Sequence, residues 1–176
     1  SDVYKRQDKP PFTMTGRLQG GEFGMVGDVS SQFFSGLLLA APQCGGATIT
    51  STTPLQSSDY VTLTTTTMAD FGVTVDHTPA SGTVQESFAV AANATFKGQS
   101  NYQIEGDWSN TAIWMVAAGM TGKPITITGM NKNSVQADRR IMQIMIDAGC
   151  DVVWDGMNVT VMGRAVKPVS YTHLRA

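Results

Sequence analysis

Cysteine, histidine and charge are the scarce features of this sequence. Only two cysteines stand in 176 residues, Cys44 and Cys150, far apart and with no histidine cluster beside either. That excludes a disulfide framework and a zinc site and fits a reducing compartment, the cytoplasm. The two histidines do no better as catalysts. His77 falls in a loop without a carboxylate–serine constellation and His173 falls near the C-terminus, so both read as solvent-facing side chains. Charged residues make up 15% of the chain and the net charge is -2, leaving no broad cationic field to attract nucleic acid or an anionic membrane. Any anion must therefore be held locally. The longest predominantly apolar run, Phe33 to Ala41, is far shorter than the roughly 20 residues that span a bilayer. With 41% hydrophobic residues the chain can still bury a real core, as one domain or two small ones. Asn93-Ala94-Thr95 and Asn158-Val159-Thr160 fit the glycosylation pattern but read as chance matches without a secretory signal.

The two ends do not continue the pattern between them. Residues 1–10 and 166–176 read as non-native flanks, translated library adapter being the nearest likeness, and the remainder reads as an internal piece of a longer protein.

The most informative stretch is Gly27-Asp28-Val29-Ser30-Ser31-Gln32-Phe33. It sets a turn, two hydroxyls and an amide between a short apolar strand, Phe23 to Val26, and an apolar run that Pro42 ends, which predicts a helix of about three turns. Ser30 or Ser31 is the natural N-cap. Unpaired backbone N–H groups and the positive end of the helix dipole meet there, so hydroxyls at that point can hold a phosphate without a lysine in contact. The plain alternative is that Ser30 only caps a buried helix.

Further along, Ala47 to Thr50 predicts a strand, Asp59 to Phe71 a helix closed by Gly72, and Val73 to Asp76 with Ser87 to Val90 a strand pair. The same order then returns. Tyr102 to Glu105 predicts a strand, Trp108 to Met120 an apolar helix, Ile125 to Thr128 a strand, and Ser134 to Ala148 an amphipathic helix. Asp151 to Trp154 and Asn158 to Val161 close it as a strand pair around Asp155-Gly156. Gly27-Asp28-Val29-Ser30 aligns with Gly106-Asp107-Trp108-Ser109, Thr48-Ile49-Thr50 with Thr126-Ile127-Thr128, and Phe71-Gly72 with Ala148-Gly149, at an offset of roughly 78 residues. The chain is one βαβαββ unit written twice, its helices too apolar to face water and so packed inside an outer layer of sheet. Both copies keep Gly-Asp-x-Ser, as capping requires, but only the first has Ser31-Gln32-Phe33 where the second has Asn110-Thr111-Ala112. Something besides capping is asked of the first copy.

Gly27 to Pro42, followed by Tyr102-Gln103-Ile104-Glu105-Gly106-Asp107-Trp108-Ser109, resembles the 5-enolpyruvylshikimate-3-phosphate synthase family, from about Met14 to Gly163. The resemblance implies an α/β (α+β) inside-out prism of the enolpyruvyl transferase type, built from six βαβαββ units of which two are present. Residues 11–101 would be the last unit of the N-terminal globular domain and residues 102–165 the first unit of the C-terminal one. It also implies transfer of the enolpyruvyl group of phosphoenolpyruvate to the 5-hydroxyl of shikimate 3-phosphate. Ser30, Ser31 and Gln32, with Ser57 and Tyr60 of a later Ser-x-x-Tyr pattern, would bind shikimate 3-phosphate, and Gln32 would also reach phosphoenolpyruvate. The catalytic acid and base would lie in other units, so no catalytic residue is assigned here, nor any cofactor or metal. The parent is expected to be a cytoplasmic monomer without nucleic-acid or membrane partners. The sequence departs from the usual pattern at Ser58-Asp59, where Lys-Pro is common, and at Ala137 of Gln136-Ala137-Asp138, where glycine is usual; the second departure is expected to lie away from the site.

Other residues carry less. Lys123 follows Gly119-Met120-Thr121-Gly122 but precedes Pro124, a turn and not a phosphate-binding loop. Asp28, Glu105 and Asp107 could serve as acids or bases, but two of them occupy the repeated turn, which favours a structural role. Trp108, Trp114, Met115, Met120, Met142 and Met145 are spaced as helix core. Two rivals remain: a UDP-N-acetylglucosamine enolpyruvyl transferase, which lacks the Ser-Ser-Gln-Phe motif, and a non-catalytic phosphosugar-binding module on the same repeat.

Overall fold

Residues 15–163 are described by the computed structural model of this chain, and they gather around two separate hydrophobic cores. The flanks expected at residues 1–10 and 166–176 lie outside the described residues.

The first core belongs to β1 (Gly21–Met25), α1 (Ser31–Ala40), β2 (Ala47–Ser51), α2 (Ser58–Asp70), β3 (Val75–Thr78) and β4 (Ser87–Val90). Their sheet runs β1-β2-β4-β3, with β1 parallel to β2 and the other pairs antiparallel. Alternation along β2 points Ala47, Ile49 and Ser51 inward. Both helices cover that face through Phe34, Leu38, Val61 and Met68, and the Phe34 and Phe88 rings meet edge to face with centroids 6.2 Å apart. Threonine is a poor helix former, yet α2 carries a run of it. Its hydroxyls bond back to the preceding turn, Thr64 to the Tyr60 carbonyl at 2.9 Å and Thr67 to that of Leu63 at 2.9 Å, so the polar face stays satisfied within the helix. A Ser35–Thr64 hydroxyl contact of 2.7 Å ties α1 to α2.

The second core belongs to α3 (Trp108–Thr121), β5 (Ile125–Ile127), α4 (Arg140–Asp147), β6 (Asp151–Asp155) and β7 (Asn158–Met162), with a one-turn 3₁₀ segment, Ala137–Arg139, leading into α4. Here the sheet is β5-β7-β6, antiparallel throughout. Trp108, Met115, Met130, Met145, Val159 and Val161 fill its interior.

The repeated glycines do the same work in both units. At the end of α2 the Gly72 N–H bonds Ala69 and the Val73 N–H bonds Met68, with Gly72 at φ 83°. At the end of α4 the Gly149 N–H bonds Ile146 and the Cys150 N–H bonds Met145, with Gly149 at φ 89°. Both are Schellman closures, each with its apolar contact across the cap in the core. This also shifts β3, expected from Val73: the Val73 N–H closes the helix, so pairing begins at Val75.

Three further expectations are corrected. Tyr102 to Glu105 is no strand. Its Tyr102 hydroxyl bonds Asp70 at 2.8 Å and the Tyr102 ring leans on Phe71, while Glu105 is taken by the loop before α4, so the segment bridges the units and leaves β5 without the parallel neighbour that β2 has in β1. The helix expected over Ser134 to Ala148 starts only at Arg140, because Ser134 and Gln136 spend their polar groups on Glu105 and α3. Trp114 and Met120, expected as core, are 59% and 81% exposed on the face of α3 turned from its sheet.

Candidate functional site

Parallel pairing of β1 with β2 decides where the site lies. Met25 pairs with Ser51, so both strands end at the same edge of the sheet, each followed by a loop and then a helix N-terminus. In open sheets with parallel strands that edge is where ligands bind. Gly27 draws the two loops together. Its N–H bonds the Thr53 hydroxyl at 2.8 Å and its carbonyl accepts the Gln56 N–H at 2.9 Å, while a Cβ at this position would meet the Thr53 carbonyl oxygen at 2.8 Å and Leu55 Cα at 2.9 Å. Glycine permits that approach, and a larger residue does not.

The result is a cleft of about 290 Å³ lined by Val29, Ser30, Ser31, Gln32, Gln56, Ser57 and Tyr60. All the residues singled out from sequence, Ser30, Ser31, Gln32, Ser57 and Tyr60, come together in it. Ser30, extended at φ -164°, is the N-cap of α1 and accepts the Gln32 N–H at 3.2 Å. Ser31 opens the helix and is buried, and Gln32 is exposed. Phe34 and Leu38, both fully buried, fix the helix that carries them.

Ser57 enters from the other side in a conformation the sequence does not announce. It lies at φ 54° and ψ 41°, and among the described residues it is the one non-glycine in the left-handed region. Such a backbone costs a serine on the order of 1 kcal/mol. Although Ser57 occupies the N-cap position of α2, its hydroxyl makes no capping bond. The lining residues carry no charge, so the cleft offers hydroxyls, amides and two helix N-termini, a set suited to an anion.

Tyr60, in the first turn of α2, connects the cleft to the second unit. Its hydroxyl donates to the Asp138 carboxylate at 3.2 Å. The charge of Asp138 and then that hydrogen bond hold the phenol above its usual range, with burial, Asp107 and Asp59 adding to the effect. The Gln136-Ala137-Asp138 segment, expected away from the site, thus reaches its rim.

The second unit repeats the Gly-Asp turn and the helix that follows it, and satisfies that helix N-terminus with its own side chains. Gly106 approaches Gly129 as Gly27 approaches Thr53, its N–H bonding the Gly129 carbonyl at 2.7 Å. There the Gln136 side-chain oxygen takes the Trp108 N–H at 2.9 Å, and Asp107 caps α3 by accepting the Ser109 N–H at 2.9 Å and its hydroxyl at 2.7 Å. Glu105 accepts from Asn131 at 2.6 Å, Ser134 at 2.6 Å and Gln136 at 2.7 Å. Burial pushes the Glu105 carboxyl up, but these three bonds outweigh it and hold it below its ordinary value. Hydrogen bonds from Ser109 and Asn110 lower Asp107 likewise. Neither carboxylate is placed as a free acid or base. Among the described residues no group of three or more histidine, cysteine or acidic side chains is arranged to hold a metal, and no helix is long and apolar enough to cross a membrane.

Comparison with known proteins gives a consistent answer. A family model described as EPSP synthase (3-phosphoshikimate 1-carboxyvinyltransferase) matches residues 2–175. A 3-phosphoshikimate 1-carboxyvinyltransferase of Clostridium kluyveri is 40% identical over 160 residues, 86% of this chain and 36% of that protein. The Methanocorpusculum labreanum protein of the same name is 37% identical over 158 residues, and a chloroplastic one from Arabidopsis thaliana is 33% identical over 170 residues, 95% of this chain and 32% of that protein. The chain thus spans about a third of the length of these relatives. In fold it is similar to an EPSP synthase from Acinetobacter baumannii, with a TM-score of 0.58 at 20% identity over 84% of this chain and 32% of that one. The chain belongs to the EPSP synthase family.

Proposed function

We propose that the parent of this chain transfers the enolpyruvyl group of phosphoenolpyruvate to the 5-hydroxyl of shikimate 3-phosphate. The hydroxyl oxygen bonds to the enolpyruvyl carbon, the bond from that carbon to phosphate breaks, and phosphate leaves with the hydroxyl proton. Within this reading the described segment supplies one wall of the shikimate 3-phosphate site: Ser30, Ser31 and Gln32 from α1, Ser57 and Tyr60 from the start of α2. Gln32 also reaches phosphoenolpyruvate. The observation that carries the assignment is the convergence of these side chains on one uncharged cleft between two helix N-termini. Charge to balance the substrates, and the groups that protonate the methylene carbon and deprotonate the hydroxyl, come from the remaining two-thirds of the parent.

In this reading the first unit ends one globular domain, the second begins the next, and the parent acts as a monomer in a reducing compartment, the cytoplasm where no plastid is involved. The exposed Ile113, Trp114 and Met120 of α3 then face neighbouring units. A UDP-N-acetylglucosamine enolpyruvyl transferase is disfavoured by the Ser-Ser-Gln-Phe motif, and a non-catalytic module by the names of the relatives. Steady-state kinetics of the full-length parent test the site. Ser30→Ala with Ser31→Ala is expected to raise KM for shikimate 3-phosphate by a few kcal/mol in binding terms, and Gln32→Ala to raise KM for phosphoenolpyruvate and lower kcat. Unchanged Michaelis constants would reduce the stretch to a helix cap. The 176-residue chain alone is expected to release no phosphate from the two substrates, since only one wall of a closing cleft is present.

A further inference from the structure

Tyr60 is the one residue lining the cleft whose side chain is hydrogen-bonded to the other unit among the described residues, and it has a single proton to give. That proton is donated to Asp138, 78 residues away in sequence, and the resulting contact joins the first turn of α2 to the 3₁₀ segment before α4. The phenol is pushed away from ionisation by the acidic groups around it, Asp138 first and then Asp107 and Asp59, so at neutral pH the proton is present and shared with a carboxylate. A phosphate arriving in the cleft is a second anion seeking the same donor. A phenol offers one O–H, and its oxygen repels an anion unless that O–H points at it.

We infer that Asp138 is a positioning residue that competes with the bound phosphate for the Tyr60 proton, and so lowers the affinity of the cleft for phosphorylated substrate. The inference rests on the functional reading above and deepens it. When phosphate binds, the phenol turns its O–H from the Asp138 carboxylate to a phosphate oxygen. No covalent bond changes, and Asp138 returns to water, to which it is partly open. Asp59, in the first turn of α2, adds a further negative charge that acts on the phenol.

The sign of the effect separates this from a structural role. A residue that merely braces Tyr60 would weaken binding when removed, whereas a competitor strengthens it. The test is titration calorimetry of shikimate 3-phosphate into the full-length parent for Asp138→Asn, Asp138→Ala, Tyr60→Phe and the Asp138→Asn/Tyr60→Phe double variant. Loss of the competing carboxylate is expected to lower Kd about fivefold in both Asp138 variants, an ordinary size for exchanging one charge-assisted hydrogen bond. In the Tyr60→Phe background the same change should do nothing. Unchanged or weaker binding in both Asp138 variants would overturn the inference, as would a gain that persists without the Tyr60 hydroxyl, which would trace to charge alone. Ser30→Ala with Ser31→Ala in the same titration keeps the two readings apart. If those serine changes weaken binding while Asp138 changes do not strengthen it, the site stands and the competition falls; if the serine changes have no effect, the site itself is misassigned.

Discussion

The two Gly-Asp turns of this chain share a motif and a close glycine and end in opposite situations. After Gly27 the helix begins four residues on, at Ser31, with Ser30 as its cap. After Gly106 it begins two residues on, at Trp108, with Asp107 as its cap. In the second unit a carboxylate serves the Ser109 and Asn110 N–H groups and Gln136 serves that of Trp108, so a negative charge and a folded-back amide occupy the helix N-terminus. In the first unit a neutral hydroxyl serves the Gln32 N–H, Asp28 stays exposed, and the space in front is a cleft. With the helix starting two residues later, its N-terminal dipole faces an open cleft in the first unit and is met by the protein's own groups in the second.

The comparison predicts unequal damage when each glycine is filled. Gly27→Ala pushes a Cβ against backbone at Thr53 and Leu55, as well as the Ser51 hydroxyl, whereas Gly106→Ala meets chiefly the flexible Met130 side chain. In urea unfolding of the full-length protein Gly27→Ala is expected to cost about 3 kcal/mol and Gly106→Ala about 1 kcal/mol. Equal losses would show that the loops are not held together differently. Next in size, Gln136→Ala removes the acceptor for the Trp108 N–H and one of the three donors to Glu105. About 2 kcal/mol of stability should go with it, read from the same unfolding curves, because a partly buried donor is left for water to satisfy.

The legible parts of the chain are those fixed by local chemistry. Phe33-Phe34 through Ala41-Pro42 announces α1 to within a residue or two, and Gly72 and Gly149 announce their helix ends because the left-handed cap favours glycine. The illegible parts depend on what is near in space. Nothing in Ser134-Val135-Gln136 says that Gln136 turns back onto α3 and delays α4, because the partner that pulls it, Glu105, stands about thirty residues earlier. Tyr102 to Glu105 alternates like a strand yet is claimed by Asp70 and the Asn131 to Gln136 loop. Trp114 and Met120 carry helical core spacing, but spacing cannot say which faces find cover. As for the cleft, the serine motif suggested a helix cap or an anion pocket. That Ser57 and Tyr60 join it follows from parallel pairing of β1 and β2, a tertiary fact that the sequence reading reached only through family resemblance.

The self-satisfied turn of the second unit should also be the more acid-sensitive one. Glu105 and Asp107 both titrate below their ordinary values in the folded chain. A carboxyl depressed by folding contributes stability that is fully present above its unfolded value and is lost as pH falls through the folded one. Wild-type unfolding midpoints should therefore hold from neutrality down to about 4.5, the ordinary glutamate value, and fall below it. Glu105→Gln should start lower and lose less over that window. A parallel fall in both proteins would place the acid sensitivity elsewhere.

The smallest effect is expected at Ser57, and it is the one that most sharpens the contrast between a satisfied turn and a working one. Ser57 holds a left-handed backbone that glycine adopts without strain, so Ser57→Gly removes the local penalty and is expected to stabilise the folded protein by up to about 0.5 kcal/mol, net of the entropy glycine adds to the unfolded chain. The same change deletes a hydroxyl that faces the cleft and caps nothing. Binding of shikimate 3-phosphate should weaken by about tenfold while the unfolding midpoint rises, a divergence that a capping serine could not produce, since losing a cap lowers stability. Strain kept at a position whose side chain makes no capping bond fits the binding role proposed for Ser57. If Ser57→Gly instead lowers both stability and affinity, the left-handed serine is supporting α2, and the second wall of the cleft is structural after all.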